Sequence, residues 1–187
     1  MSQITNLLAI LAEATTGDEA KTLMGKLLEP KDWFGQVDLF LHLYLFEAMN
    51  KTGYQDKFMS ELTEWQLMKD RRMSGFAEVP LEWGEENQRS ECHPWSSAPN
   101  VFLYKTVCGI NPTSAGHKTV EIAPNFGELT TIKAVYPHPL GNIELDLRKT
   151  NSRVEGTITT PKEMHCTFVW GNQKLNLKTG KQNISIE

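Results

Sequence analysis

GFAEVPLEWGEENQRSECHPWSSAP, residues Gly75 to Pro99, is the stretch on which the reading of this chain depends. Residues before it follow helical spacing, and those after Pro112 follow strand spacing. The stretch itself gathers Phe76, Trp83, His93 and Trp95 beside the carboxylates of Glu78, Glu82, Glu85, Glu86 and Glu91. Aromatic faces and imidazoles grip substrate edges, and carboxylates move protons. A polar, aromatic-rich connection held between packed elements is where reacting groups are usually carried. The plainer reading is a solvated acidic loop whose aromatic rings are pinned to the core.

Upstream, Ile4, Leu7, Leu8 and Leu11 fall at i, i+3, i+4, i+7, one face of a helix. Thr15-Thr16-Gly17 interrupts it, and Thr16 with Glu19 forms a capping-box pattern for a second helix. That helix carries Leu23, Met24, Leu27 and Leu28 and is closed by Pro30. A third helix is expected over 37–50, with Phe40, Leu41, Tyr44, Leu45 and Ala48 inward and Gly53 past its end. His42 within it reads as a packed histidine rather than a catalytic one. A fourth is expected from about 55 to 69, with Phe58, Leu62, Trp65 and Met68 on one face. Pro99 suits the first turn of a fifth, and Gly109 suits its C-terminal cap.

Downstream, Asn-Pro-Thr-Ser-Ala-Gly from Asn111 is a boundary composition. Apolar residues then alternate with polar ones: Val120 and Ile122; Ile132, Ala134 and Tyr136; Ile143, Leu145 and Leu147. Val154 and Ile158, Cys166-Phe168-Trp170, Leu175-Leu177 and Ile184-Ile186 continue the pattern between turn-forming segments. The expected fold is a helical part over 1–112 followed by a small antiparallel β-sandwich over 113–187.

The bulk properties exclude several classes. A net charge of −4 over 187 residues, with Lys and Arg scattered, is unlike a nucleic-acid binder, which needs a basic stripe. The most apolar run, Val37 to Met49, is too short for a membrane span and carries Asp38, His42 and Glu47. No signal-peptide pattern opens the chain. Cys92, Cys108 and Cys166 are far apart and form no zinc-spaced cluster, so neither metal nor other cofactor is expected. Cys92-His93 invites a thiolate reading, but neighbours in sequence rarely face each other, and cysteine is more often a small buried hydrophobe.

The order of these segments, and above all RSECHPW at Arg89 to Trp95, resembles the C-terminal end of bacterial α-L-rhamnosidases of glycoside hydrolase family 78. Trp65-Gln-Leu-Met68, Phe76-Ala77-Glu78, Ser97-Ala98-Pro99-Asn100 and Val107-Cys108-Gly109-Ile110 extend the likeness through the helical part. Gly116, Val120-Glu-Ile-Ala-Pro124 and the Gly141 hairpin extend it into the strands. The resemblance implies the end of a six-fold α/α barrel followed by a β-sandwich, and a hydrolase that inverts the anomeric carbon of terminal α-L-rhamnose.

Such chemistry uses a carboxylic acid and a carboxylate base about 6.5–9.5 Å apart, with room for a water. By resemblance Glu78 is the base, with Glu82 its rival if the alignment gap falls earlier. His93, Trp95 and Arg89 would contact the sugar. The family's general acid lies in earlier barrel helices, so this chain would carry half of the acid/base pair and be inactive alone. It would require the missing barrel portion or associate with itself through exposed helix faces. The family often acts in the periplasm or outside the cell. Two other readings remain open: a non-catalytic carbohydrate-binding or assembly module, and a purely structural domain.

Overall fold

In the computed structural model, residues 2–29, 35–87 and 89–187 are described, and their contacts divide into two units, 1–101 and 102–187. The first unit opens with α1 (Gln3–Leu11), whose N-terminus is capped by the Ser2 hydroxyl accepting from the Thr5 N–H. Its buried face centres on Gln3, Leu7 and Ile10, and Leu8 turns outward. Gln3 is buried because both ends of its amide are satisfied: it donates to Leu27 O and accepts from the Val37 N–H, each at 2.9 Å. One side chain thereby ties together three segments.

Helix α2 (Gly17–Leu27) follows. Thr16 occupies its N-cap, but the hydroxyl makes no capping hydrogen bond, so the capping-box expectation is not met. Asp18 and Glu19 in the first turn complement the helix dipole in its place. The expected stop at Pro30 lies outside the described residues.

The third expected helix begins later than its apolar run. A 3-10 turn covers Leu39–Leu41, and α3 spans His42–Thr52, with Gly53 left-handed at φ 81°. Its core face is Leu45, Phe46, Ala48 and Met49, while Tyr44 points out, a correction to the expected face. The tighter 3-10 turn rotates the following residues relative to a continuous α-helix from Val37. A long 3-10 segment (Gln55–Leu62) then leads into α4 (Thr63–Asp70), which buries Phe58 and Met68 as the spacing requires. Helix α5 (Ala98–Phe102) is preceded by a 3-10 turn at Pro94–Ser97.

The second unit begins with a π-helical turn, Leu103–Val107. Gly109 follows at φ +66°, and a Cβ there would lie 1.9 Å from the Ala123 carbonyl oxygen, so only glycine fits. The strands are β1 (Ile110–Pro112), β2 (Thr119–Ile122), β3 (Thr131–Tyr136), β4 (Ile143–Thr150), β5 (Arg153–Thr160), β6 (His165–Trp170), β7 (Gln173–Asn176) and β8 (Gly180–Ile186). They form two four-stranded sheets, ordered β1-β2-β6-β7 and β3-β4-β5-β8. Ile132, Leu145, Leu147, Val154, Ile158 and Ile184 bury one face of the second sheet, and Val120, Ile122, Cys166 and Phe168 one face of the first. Strand β1 was hidden in the boundary composition at Asn111-Pro112.

The all-antiparallel expectation needs one correction: β2 pairs with β6 in parallel, Val120 opposite Cys166 and Ile122 opposite Phe168. Three strands of the other sheet lie between them in sequence, a connection long enough to return the chain in the same direction.

Candidate functional site

The loop of the first unit is built from two antiparallel segments. The Glu78 N–H donates to Ser90 O at 2.9 Å, and the His93 N–H donates to Phe76 O at 2.8 Å. Gly75 lets them close up, since a Cβ there would stand 2.5 Å from the Glu91 carbonyl oxygen. Ala77 and Val79 are buried, so alternation along this extended run turns Glu78 away from the core. Ala77 and Leu81 pack with Leu39 and Met68, and Trp65, Leu67, Met73 and Phe76 lie against that cluster.

Helix α4 anchors both segments. The Glu64 carboxylate accepts from the Leu81 N–H at 2.8 Å, and the Trp65 indole N–H donates to Ser96 O at 2.6 Å. Neither anchor is readable from spacing alone, because each bond joins residues far apart in sequence.

Between these anchors Glu78 meets two of the residues expected beside it. Its carboxylate lies 3.8 Å from the Arg89 guanidinium and 3.7 Å from His93 Nδ1. Glu78 and His93 are largely sheltered, at 17% and 25% side-chain exposure, while Arg89 is 71% exposed. The carboxylate is thus flanked by one guanidinium and one imidazole, both hydrogen-bond donors that a ligand could share. Glu82 sits elsewhere, exposed on the 3-10 turn Leu81–Trp83. Among the described residues the pairings with Arg89 and His93 belong to Glu78.

Aromatic rings wall the other side. Phe40 lies 5.2 Å from His93, and it stacks on Trp95 at 6.3 Å with an interplanar angle of 14°. Trp95 is 70% exposed, so its indole presents a flat apolar surface to solvent next to the polar group. Flat rings beside hydrogen-bonding side chains suit a ligand with one apolar face and one polar edge.

Two residues join this group without a sequence signal that singled them out. Phe40 was read as helix core, and Asp38 only as a charge interrupting an apolar run. Burial pushes the Asp38 carboxyl above the ordinary aspartate range, opposed by Arg89 and reinforced by Glu78. His42, next along, is edge-on to Phe46 and Trp65 and bonds the Asp38 carbonyl through Nδ1 at 3.0 Å. Burial lowers its pKa, in keeping with a packed histidine.

Cys92 is exposed, whereas Cys108 and Cys166 are buried. No group of three or more His, Cys, Asp or Glu among the described residues is placed to hold a metal ion. Among them, too, no helix is long and apolar enough to cross a membrane.

Residues 109–185 match the bacterial alpha-L-rhamnosidase C-terminal domain. Solved structures similar to the chain include the GH78-family rhamnosidase of Bacillus sp. GL1, at 24% identity and TM-score 0.75, over 90% of this chain and 19% of that one. The Streptomyces avermitilis alpha-L-rhamnosidase complexed with L-rhamnose is 16% identical at TM-score 0.80, over 99% of this chain and 21% of that one. The alpha-L-rhamnosidase from Dictyoglumus thermophilum is 16% identical at TM-score 0.81, over 100% and 25%. At these identities the likeness is one of fold, and the chain spans a quarter or less of each of the three. No curated protein sequence matches the chain.

Proposed function

We propose, from the premise that residues 109–185 are similar to bacterial alpha-L-rhamnosidase C-terminal domains and the whole chain resembles the C-terminal part of rhamnosidases of that kind, that this chain contributes the general-base half of an α-L-rhamnosidase site. On this reading the helical unit is the closing part of an α/α barrel, and the two sheets are the sandwich that follows it. The observation that carries the proposal is Glu78 held between Arg89 and His93, with Trp95 exposed beside them.

In this scheme the Glu78 carboxylate takes a proton from a water that attacks the anomeric carbon of a terminal α-L-rhamnose. The glycosidic bond breaks, and a carboxylic acid on another part of the barrel protonates the leaving oxygen. His93 and Arg89 hold sugar hydroxyls, and Trp95 supports the apolar face of the ring. Lacking the acid, these residues by themselves bind without turning over. Glu82 is the rival base, and its exposure on a separate turn favours Glu78.

The test is a thermal-shift titration with L-rhamnose on the wild type, Glu78→Gln and His93→Ala. A ligand that binds only the folded state adds about 2.7 kcal/mol at a hundred times its Kd. A rise in Tm for the wild type that is lost in His93→Ala supports the half-site. No rise in any variant at high millimolar sugar overturns it and leaves the non-catalytic module as the reading.

A further inference from the structure

The 3-10 turn Leu39–Leu41 packs on both segments of the site loop at once. In so tight a turn successive side chains leave the backbone in different directions. Leu39 is fully buried and joins Met68, Leu81 and Ala77, the residue before Glu78. Phe40 is half-buried and turns instead to the second segment. Its ring lies 5.2 Å from the His93 ring at 51°, and 6.3 Å from the Trp95 indole at 14°. The turn itself is pinned, because the Leu41 N–H donates to the Asp38 carbonyl at 3.0 Å and the Val37 N–H is held by Gln3. His93 and Trp95 are joined through Pro94, whose own ring fixes its φ and opens the 3-10 turn Pro94–Ser97. One phenyl ring is therefore the common neighbour of both side chains, while His93 Nδ1 stands 3.7 Å from the Glu78 carboxylate.

We propose that Phe40 is a positioning residue of this site, holding the His93 imidazole beside Glu78 and the Trp95 indole with one face covered and the other free for a ligand. Trp95 is 70% exposed, and a side chain so little enclosed would otherwise exchange among its rotamers. A near-parallel offset stack is one of the favoured arrangements of two aromatic rings, and the partner here is anchored on a pinned turn. The tilted contact with His93 makes the same ring responsible for the imidazole. Ordering both side chains before a ligand arrives removes part of the entropy that binding would otherwise cost. The stack also gives the site a direction: a sugar ring lies on the indole face turned away from Phe40, since the opposite face is taken. An aliphatic residue would fill the half-buried space but offer no flat face, so this role requires the ring itself. The ordering of His93 and Trp95 stands on the ring geometry alone, and its benefit to a sugar rests on the half-site reading above.

The experiment takes the full chain labelled with 5-fluorotryptophan, as wild type, Phe40→Leu and Phe40→Tyr, and identifies the Trp95 fluorine signal by its absence from Trp95→Phe. Fluorine relaxation reads how freely the Trp95 indole moves, and carbon relaxation does the same for the His93 ring. Without sugar, Phe40→Leu is expected to free both rings while the far-UV spectrum and the Trp170 signal stay as in the wild type. Phe40→Tyr, which keeps the ring, should hold both as the wild type does. In the thermal-shift titration Phe40→Leu should bind L-rhamnose about fivefold more weakly, and Phe40→Tyr should restore the response. Unchanged relaxation of both rings in Phe40→Leu overturns the proposal, because a phenylalanine that only fills space orders neither. Should that variant fail to fold, the wild type decides: nuclear Overhauser contacts from the Phe40 ring to both His93 and Trp95 are expected, and their absence overturns the proposal. An absent response of the wild type to L-rhamnose overturns the half-site reading and leaves the ordering of the two rings to be decided by relaxation.

Discussion

His42 and Asp38 are adjacent in the site and make opposite demands on pH. Burial lowers the His42 pKa, so the unfolded chain takes up a proton that the folded chain refuses as pH falls below about 6.5. Stability is expected to decline through that window, and His42→Gln should flatten the decline in a plot of Tm against pH. Asp38 is raised, so its ionisation weakens the fold as pH climbs above 3.8, and Asp38→Asn should raise Tm at neutral pH relative to the wild type. Cysteine chemistry separates along the same line. Burial pushes the Cys108 and Cys166 thiols up to about 11 each, and Cys92 is exposed. Iodoacetamide should label Cys92 alone in the folded protein and all three thiols in denaturant, read by peptide mass.

Among the elements, β5 holds a tightly confined glycine and α4 anchors the site loop. Gly156 in β5 sits opposite Leu147 at φ +147°, and a Cβ there would be 2.0 Å from the Asp146 carbonyl oxygen. Gly156→Ala should cost about 3 kcal/mol or more in urea unfolding, since neither the neighbouring backbone nor the dihedral can relax cheaply. For α4 the informative change is Trp65→Phe. It keeps a ring against Phe46 and His42 but leaves the Ser96 carbonyl without the indole N–H. The expected loss is about 1 kcal/mol, with a weakened L-rhamnose response because Ser96 directly follows Trp95 and lies one short turn after His93. A normal sugar response in that variant would show that α4 does not position the loop.

Taken as a whole, the chain has a fold that occupies a quarter or less of much longer proteins, and on the half-site reading proposed above its turnover would need a second carboxyl group from elsewhere. The isolated 187 residues should not release p-nitrophenol from p-nitrophenyl α-L-rhamnoside above the rate of buffer. Turnover that depends on Glu78 would overturn the half-site reading, because a second carboxyl group would then have to lie within this chain. Leu8, Met59 and Val101 are exposed apolar residues of the helical unit, the kind that partner helices cover. Light scattering should accordingly show a mass that rises with concentration, and a constant monomer mass would argue that these side chains are simply solvated.

Much of this was legible in the residue pattern, for a physical reason. Period-two alternation in Ile143-Leu145-Leu147 follows from burying one face, a requirement local enough to survive any tertiary arrangement. Glycine positions such as Gly53 and Gly109 were readable because left-handed backbone excludes other side chains. The run from Arg89 to Trp95 carried its resemblance as a contiguous motif. Other features depended on contacts between residues distant in sequence. Examples are the parallel β2–β6 pair, the late start of α3, the indole bond from Trp65 to Ser96, and the approach of Phe40 to His93. A carboxylate's neighbours are set by the folding of separate segments onto one core, and no periodicity in the chain encodes that meeting. Residue type and spacing determined which elements form; the tertiary structure alone decided which of the chain's acids stands beside the arginine and the histidine.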